Sequence, residues 1–240
     1  MKYFLLLIQS LLSPWASTFD NGTRSSFNSD LERLEIFQEY LDRFVYPYLM
    51  PYHDWSYKRI KDLDGQNRGI DILLQYKDKT FKIDEKAQLD YLDVNIPTMA
   101  FELAYYKNNL YREGWLFDEK KETSHYIYIT NINTKEGKGF RKPEDILSCK
   151  MYLVRRKSLI GELAKIDMDH KNLIDFYEKH QDAGEAILFG FGKSKIKFTG
   201  HKNERPLNLV IHQSSLMELL GSACEKIWDQ HLEFLIKSKR

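Results

Sequence analysis

Two short segments of this 240-residue chain carry the side chains best suited to chemistry: Gly-Ile-Asp-Ile-Leu-Leu at 69–74 and Phe-Lys-Ile-Asp-Glu-Lys-Ala-Gln at 81–88. They read as two β-strands joined by the short polar connection Lys77-Asp78-Lys79-Thr80, an antiparallel hairpin. Side chains alternate faces along a strand. Lys82, Asp84, Lys86, Gln88 and Asp90 therefore share one face of the second strand, above an apolar underside of Phe81, Ile83, Ala87 and Leu89. On the first strand Ile70, Ile72, Leu74 and Tyr76 share a face, and Asp71 lies on the opposite one. Pairing about Asp78–Lys79 sets Asp71 across from the region just after Lys86, so that two carboxylates converge with an ammonium beside them.

Such a trio suits metal-assisted phosphodiester chemistry. Mg²⁺ takes oxygen ligands and keeps several waters, so two carboxylates suffice to hold it. The cation polarises a phosphate and acidifies a bound water. A lysine beside that water orients it and offsets charge that develops on the phosphate. Asp71, Asp84 and Lys86 fit these roles, and the Glu85 backbone carbonyl could be a further ligand although its side chain alternates to the other face. The plainer reading is an acid-x-lysine pair on a solvated strand, where cross-strand charges are ordinary. The preceding Gly-Ile-Asp strand favours chemistry, because acid, spacing and hairpin agree.

Gly-Ile-Asp followed by the Asp-Glu-Lys strand resembles the PD-(D/E)xK nuclease superfamily, whose fold is restriction endonuclease-like. The resemblance implies Asp71 and Asp84 as ligands of Mg²⁺ or Mn²⁺, Lys86 as the residue that positions the attacking water, and Gln88 as support for the metal site or a phosphate contact. Residue 70 is Ile where the motif carries Pro. The stretch from Asp84 to about Thr130 also resembles a group of bacterial proteins of this type, with Phe101-Glu102-Leu103 on a helix and Gly114-Trp115-Leu116 on a strand. The resemblance spans roughly residues 30–160 and implies a hydrolase acting on nucleic acid, DNA foremost, with a homodimer as one assembly.

Superfamily members often add a glutamate from the helix before the hairpin. Residues 30–46 read as that helix, with Leu34, Phe37, Leu41 and Phe44 at helical spacing. Glu32, Glu35 and Glu39 fall away from this stripe, whereas Asp42 lies nearest its edge. Asp42 and Glu102 are thus the two candidates for an additional acid.

Length permits one sizeable core with an appendage. The formal net charge of +1 gives no global nucleic-acid signature, although the field at a cleft, rather than the total, governs binding. Local basic clusters at Lys58–Lys61, Arg155–Lys157 and Lys193–Lys197 could meet phosphates or simply be solvated. Cys149 and Cys224, the only cysteines, form neither a disulfide framework nor a zinc pattern. Asp167-Met168-Asp169-His170 reads as a helix junction capped near Asp169. Gly-rich phosphate loops and serine-hydrolase elbows are absent.

Residues 1–17 combine a lysine tip with an apolar run, the shape of a secretory signal, but with a poor cleavage region at Pro14-Trp15-Ala16. The run is too short for a membrane span. Cytoplasmic residence is expected, with secretion the alternative if 1–17 is a signal, and no membrane partner unless that segment is retained. The expected fold class is α/β: a restriction endonuclease-like mixed sheet flanked by helices, with an α+β C-terminal elaboration. The division is 1–29 (apolar segment and linker), 30–165 (nuclease-like core) and 166–240 (elaboration). Within it, strands are expected near 55–61, 69–90, 115–117, 125–129, 149–154, 187–191, 195–198 and 207–212. Helices are expected at 98–109, 156–165, 171–180 and 214–237. A non-catalytic nucleic-acid-binding protein of the same fold and an exported carbohydrate- or protein-binding domain are the competing readings.

Overall fold

In the computed structural model, residues 27–108, 110–135, 137, 139–180, 185–187, 191–198 and 205–231 are described. The apolar N-terminal run lies outside these residues. Among the described residues no helix is long and apolar enough to cross a membrane.

The described residues open with α1 (Phe27–Tyr40), a π-helical stretch at Leu41–Val45 and α2 (Tyr46–Tyr52). The expected helix is therefore present and runs further at both ends. Next come β1 (Trp55–Arg59), the short α3 (Leu63–Asn67), β2 (Ile72–Tyr76) and β3 (Lys79–Ala87). The remainder comprises β4 (Thr98–Lys107), β5 (Leu110–Glu113), β6 (His125–Thr134), β7 (Ile146–Arg155), α4 (Arg156–Ala164), α5 (Leu173–His180), β8 (Glu185–Ile187), β9 (Ser194–Phe198), β10 (Leu207–His212), α6 (Gln213–Leu220) and β11 (Cys224–His231).

Two sheets result: a six-stranded one ordered β1-β2-β3-β6-β7-β11 and a five-stranded one ordered β5-β4-β10-β9-β8. Among the described residues of the first, only β3 and β6 run parallel, so the mixed α/β class is met. Both sheets draw on chain from either side of residue 165: β10 pairs with β4, and β11 with β7.

The six-stranded sheet is covered on both faces. One face packs under α1 and α2, where Phe37, Tyr40, Leu41, Val45 and Leu49 meet Ile72, Leu74, Ile83, Ile127 and Ile129. The other face carries Tyr126, Tyr128 and Tyr152 against Phe101, Trp115 and Leu209 of the second sheet and its connections. The Tyr128 hydroxyl accepts from the Ala100 N–H at 2.9 Å, joining the two layers.

Three expectations require correction. Where a helix over 98–109 is expected, Thr98–Lys107 is the strand β4 and residue 109 lies outside the described residues; Met99–Ala104 is buried on both faces and such a run follows neither periodicity. Trp115–Phe117 is a buried turn, closed by Phe117 N–H to Gly114 C=O at 3.0 Å. A side chain at Gly114 would lie 2.5 Å from the Glu102 carbonyl, so only glycine permits that approach. Third, the helix over 214–237 stops at Leu220; Gly221, at φ +51°, turns the chain into β11, and residues 232–237 lie outside the described residues.

Candidate active site

The hairpin turn falls at Lys77–Asp78, with Tyr76 facing Lys79 and Ile72 facing Ile83. Lys77 takes the left-handed conformation, φ +54°, that closes it. This register differs from pairing about Asp78–Lys79: the ladder ends at Ile72 and Ile83, and Asp71, just past it, lies beside the Ile83–Glu85 stretch of β3 instead of beyond Lys86. The Asp71 N–H bonds the Ile83 carbonyl at 2.8 Å, and Asp71 Oδ2 accepts the Glu85 N–H at 2.7 Å. The backbone thus fixes this carboxylate against β3.

Asp84 is 5 % exposed. Lys86 Nζ lies 2.6 Å from its Oδ1 and 5.1 Å from the centroid of the Trp115 ring, whose π-face attracts the ammonium. Asp71 keeps part of its surface open, yet neighbouring atoms crowd its carboxyl. Burial first, then the negative charges of Asp84 and Glu85, push its pKa well above the usual carboxylate range, against the pull of Lys86 and the Glu85 N–H. Two carboxylates held this close favour a shared proton or a cation. Among the described residues no group of three His, Cys, Asp or Glu assembles as a metal cluster. A cation here would rest on Asp71, Asp84, backbone oxygen and water, a donor set that suits Mg²⁺ or Mn²⁺.

The other sequence candidates are placed elsewhere. Glu85 turns to the reverse face, where Arg59 Nη1 reaches its Oε2 at 2.6 Å and Tyr46 donates to its Oε1. Asp42, on the π-helical stretch, joins the same network, accepting from Arg59 at 2.8 Å and from Tyr57 at 3.1 Å. It is therefore separated from Asp71 and Asp84 by the sheet and does not complete their site. Glu102 is on β4, not a helix; it stands opposite Asn208 and shares the outer face with Ala100, turned away from the six-stranded sheet. Gln88 is 4 % exposed and donates to the Thr98 carbonyl at 3.2 Å, so it braces the entry to β4. Its Oε1 is buried and lacks a hydrogen-bond partner.

Sequence reasoning missed the connection 118–124, which packs on Gly69, next to Asp84. It is zipped to 65–69 by Glu122 N–H to Arg68 C=O at 2.8 Å and by the Thr123 hydroxyl to Gly69 C=O at 2.7 Å. Gly69 has φ +72°, and a Cβ there would lie 2.5 Å from Thr123 Oγ1 and 3.6 Å from Asp84 Oδ2. Arg156, from one of the basic clusters, is no phosphate contact: it donates to the carbonyls of Leu116, Asp118 and Lys121 at 2.7–2.8 Å and holds the connection in shape. Arg59, from another cluster, is likewise consumed internally.

A cleft of about 870 Å³ bordered by Arg33, Asp90, Asp93, Lys135 and Arg141 lies at the other end of β3 and β6, away from the acid pair. No family model, curated protein or solved structure matches the chain.

Proposed function

We propose that the protein is a metal-dependent nuclease that hydrolyses phosphodiester bonds, DNA being the first substrate to test, on a restriction endonuclease-like variant of a mixed sheet. One observation carries the reading: Asp71 is pinned to β3, its Oδ2 taking the Glu85 N–H at 2.7 Å, near enough to Asp84 for that charge to raise its pKa, and Lys86 stands 2.6 Å from Asp84. A structural ion pair has no use for a second buried carboxylate whose proximity raises its own pKa. The order β1-β2-β3 antiparallel with β6 parallel to β3 is compatible with the core, although a β-hairpin, β4–β5, stands where a crossover helix is expected.

Bound Mg²⁺ would supply phosphate polarisation and an acidic water. Asp71 and Asp84 would hold it; Lys86, fixed by Asp84 and Trp115, would orient the attacking water. Gln88 is assigned a bracing role through Thr98 instead of a phosphate contact.

The test is Mg²⁺- or Mn²⁺-dependent cleavage of linear, circular and branched DNA by the native chain, Asp84→Ala and Lys86→Ala. Losses of about 10³-fold for Asp84→Ala and about 10²-fold for Lys86→Ala, with folding retained, are expected. Metal-dependent cleavage that survives in both variants would remove the site from consideration. A folded native chain that neither cleaves nor binds Mn²⁺ would discard the reading.

A further inference from the structure

Lys86 is not the only ammonium beside the acids. Lys121 is half-buried on the 118–124 connection, and its Nζ donates to the Asn67 carbonyl at 2.6 Å. The position a Gly69 Cβ would occupy is 3.1 Å from Lys121 Cδ and 3.6 Å from Asp84 Oδ2, so the lysine stem and the Asp84 oxygen that Lys86 does not bond both approach Gly69. Burial, then the Lys86 charge, push its pKa down, against the pull of Asp84, Asp118 and Asp71. The placement is built: Arg156 binds the Lys121 carbonyl at 2.7 Å, and the neighbouring Glu122 N–H is tied to Arg68 at 2.8 Å.

In-line displacement at phosphorus puts the entering and departing oxygens on opposite sides. Lys86 at Asp84 Oδ1 and Lys121 at Gly69, which Asp84 Oδ2 also approaches, match that requirement. Resting on the nuclease reading above, we infer that Lys121 is a further catalytic residue, contacting the departing oxygen of the scissile phosphodiester while Lys86 serves the entering water. The water oxygen bonds to phosphorus and its proton passes to solvent. The phosphorus–oxygen bond to the leaving nucleoside breaks with its electron pair on that oxygen, beside the Lys121 ammonium, and the oxygen then takes a proton from solvent. The Asn67 carbonyl, a neutral acceptor, yields its place to the charged oxygen, for which an ammonium makes the stronger hydrogen bond.

The test compares the native chain, Lys121→Met and Lys121→Arg on two substrates with Mn²⁺: a DNA oligonucleotide, and thymidine 5′-(p-nitrophenyl phosphate), whose nitrophenolate departs without help. Lys121→Met should lower kcat on DNA about 100-fold and on the nitrophenyl ester by less than about 10-fold, with Mn²⁺ affinity by calorimetry retained. Lys121→Arg should recover part of the DNA rate. Equal losses on both substrates, or lost Mn²⁺ binding, would show a merely structural lysine. A native rate for Lys121→Met on DNA would overturn the inference while leaving the nuclease reading intact. Cleavage that survives Asp84→Ala, or a native chain that cleaves neither substrate, would sink the nuclease reading itself and the inference with it.

Discussion

Asp84 and Glu85 are neighbours on one strand, and the chain treats them in opposite ways. Glu85 meets a guanidinium and a tyrosine hydroxyl, and Arg59 forks between it and Asp42. Burial opposes the Arg59 charge, but Glu85 and Asp42 more than compensate and raise its pKa. Both oxygens of Glu85 and both of Asp42 have been given a donor. Asp84 instead lies near enough to Asp71, another acid, for its charge to raise the Asp71 pKa, and receives one ammonium on one oxygen. The reverse face is a finished ionic network, as structure requires; the front face holds like charges close at a cost in stability. A fold tolerates such a cost where the charges are used on something that arrives from outside.

The largest expected effect on stability lies on the finished side. Arg59→Met leaves Glu85, with a side chain 6 % exposed, without its main partner. Breaking a buried pair by removing one member costs about 3–5 kcal/mol. Urea unfolding of this variant should show a loss of that size, whereas Lys86→Met, on the unfinished side, should cost less. Equal losses would erase the distinction between the faces.

The second prediction reverses the usual sign. Asp71 has its folded pKa raised by burial, Asp84 and Glu85. Below the unfolded carboxylate pKa, about 3.9, both states hold the proton and no penalty exists. As pH rises past that value the unfolded state loses its proton first, so stability falls until the folded pKa is passed. Asp71→Asn removes the charge, and Asn can still accept the Glu85 N–H. Without metal, the variant should therefore unfold at higher urea than the native chain at pH 7, with the gain vanishing near pH 3. Excess Mn²⁺ should stabilise the native chain and not the variant, because binding to the folded state adds stability by mass action. A variant less stable than native at pH 7 in the absence of metal would mean that the acids are not in conflict.

How much of this was legible in the sequence follows from the range of the interactions. The hairpin alternation is local, and it assigned Asp84 and Lys86 to one face and Glu85 to the other correctly. The register was less secure: a turn at Lys77–Asp78 instead of Asp78–Lys79 shifts the pairing of β2 with β3 by two residues. β4 was misread because both of its faces are covered, and β11 because the strand it pairs with, β7, is distant in sequence. Lys121 sat unnoticed in a charged loop. Its position depends on bonds to Asn67 and on the Arg68–Glu122 pairing, each spanning 54 residues, and on Arg156, which a composition scan reads as a basic patch. Local alternation can say which side chains share a face; it cannot say which remote loop closes over them.

The smallest expected effect tests the reverse face at its edge. His125 pairs with Ile83 in the parallel ladder and stands opposite Arg155 on β7, with its ring against the edge of Phe81 at 5.1 Å. Burial, then the Arg155 charge, pushes its pKa down to about 4. The unfolded chain titrates near 6.5. Between these values the unfolded state binds the proton and the folded state does not, so stability is intact above about pH 6.5 and is lost as pH falls toward about 4. The full gap would correspond to about 3 kcal/mol, and because the ring is partly exposed, solvent screening should reduce it to about 1 kcal/mol. His125→Gln keeps a polar, neutral side chain and should lose that much less stability than the native chain between pH 7 and pH 4.5 in parallel urea titrations. Acids elsewhere contribute equally to both proteins and cancel in the difference. Identical pH slopes would show that His125 is charged in the folded state, which would place an uncompensated cation beside Arg155 and undo the picture of a reverse face in which every charge has been answered.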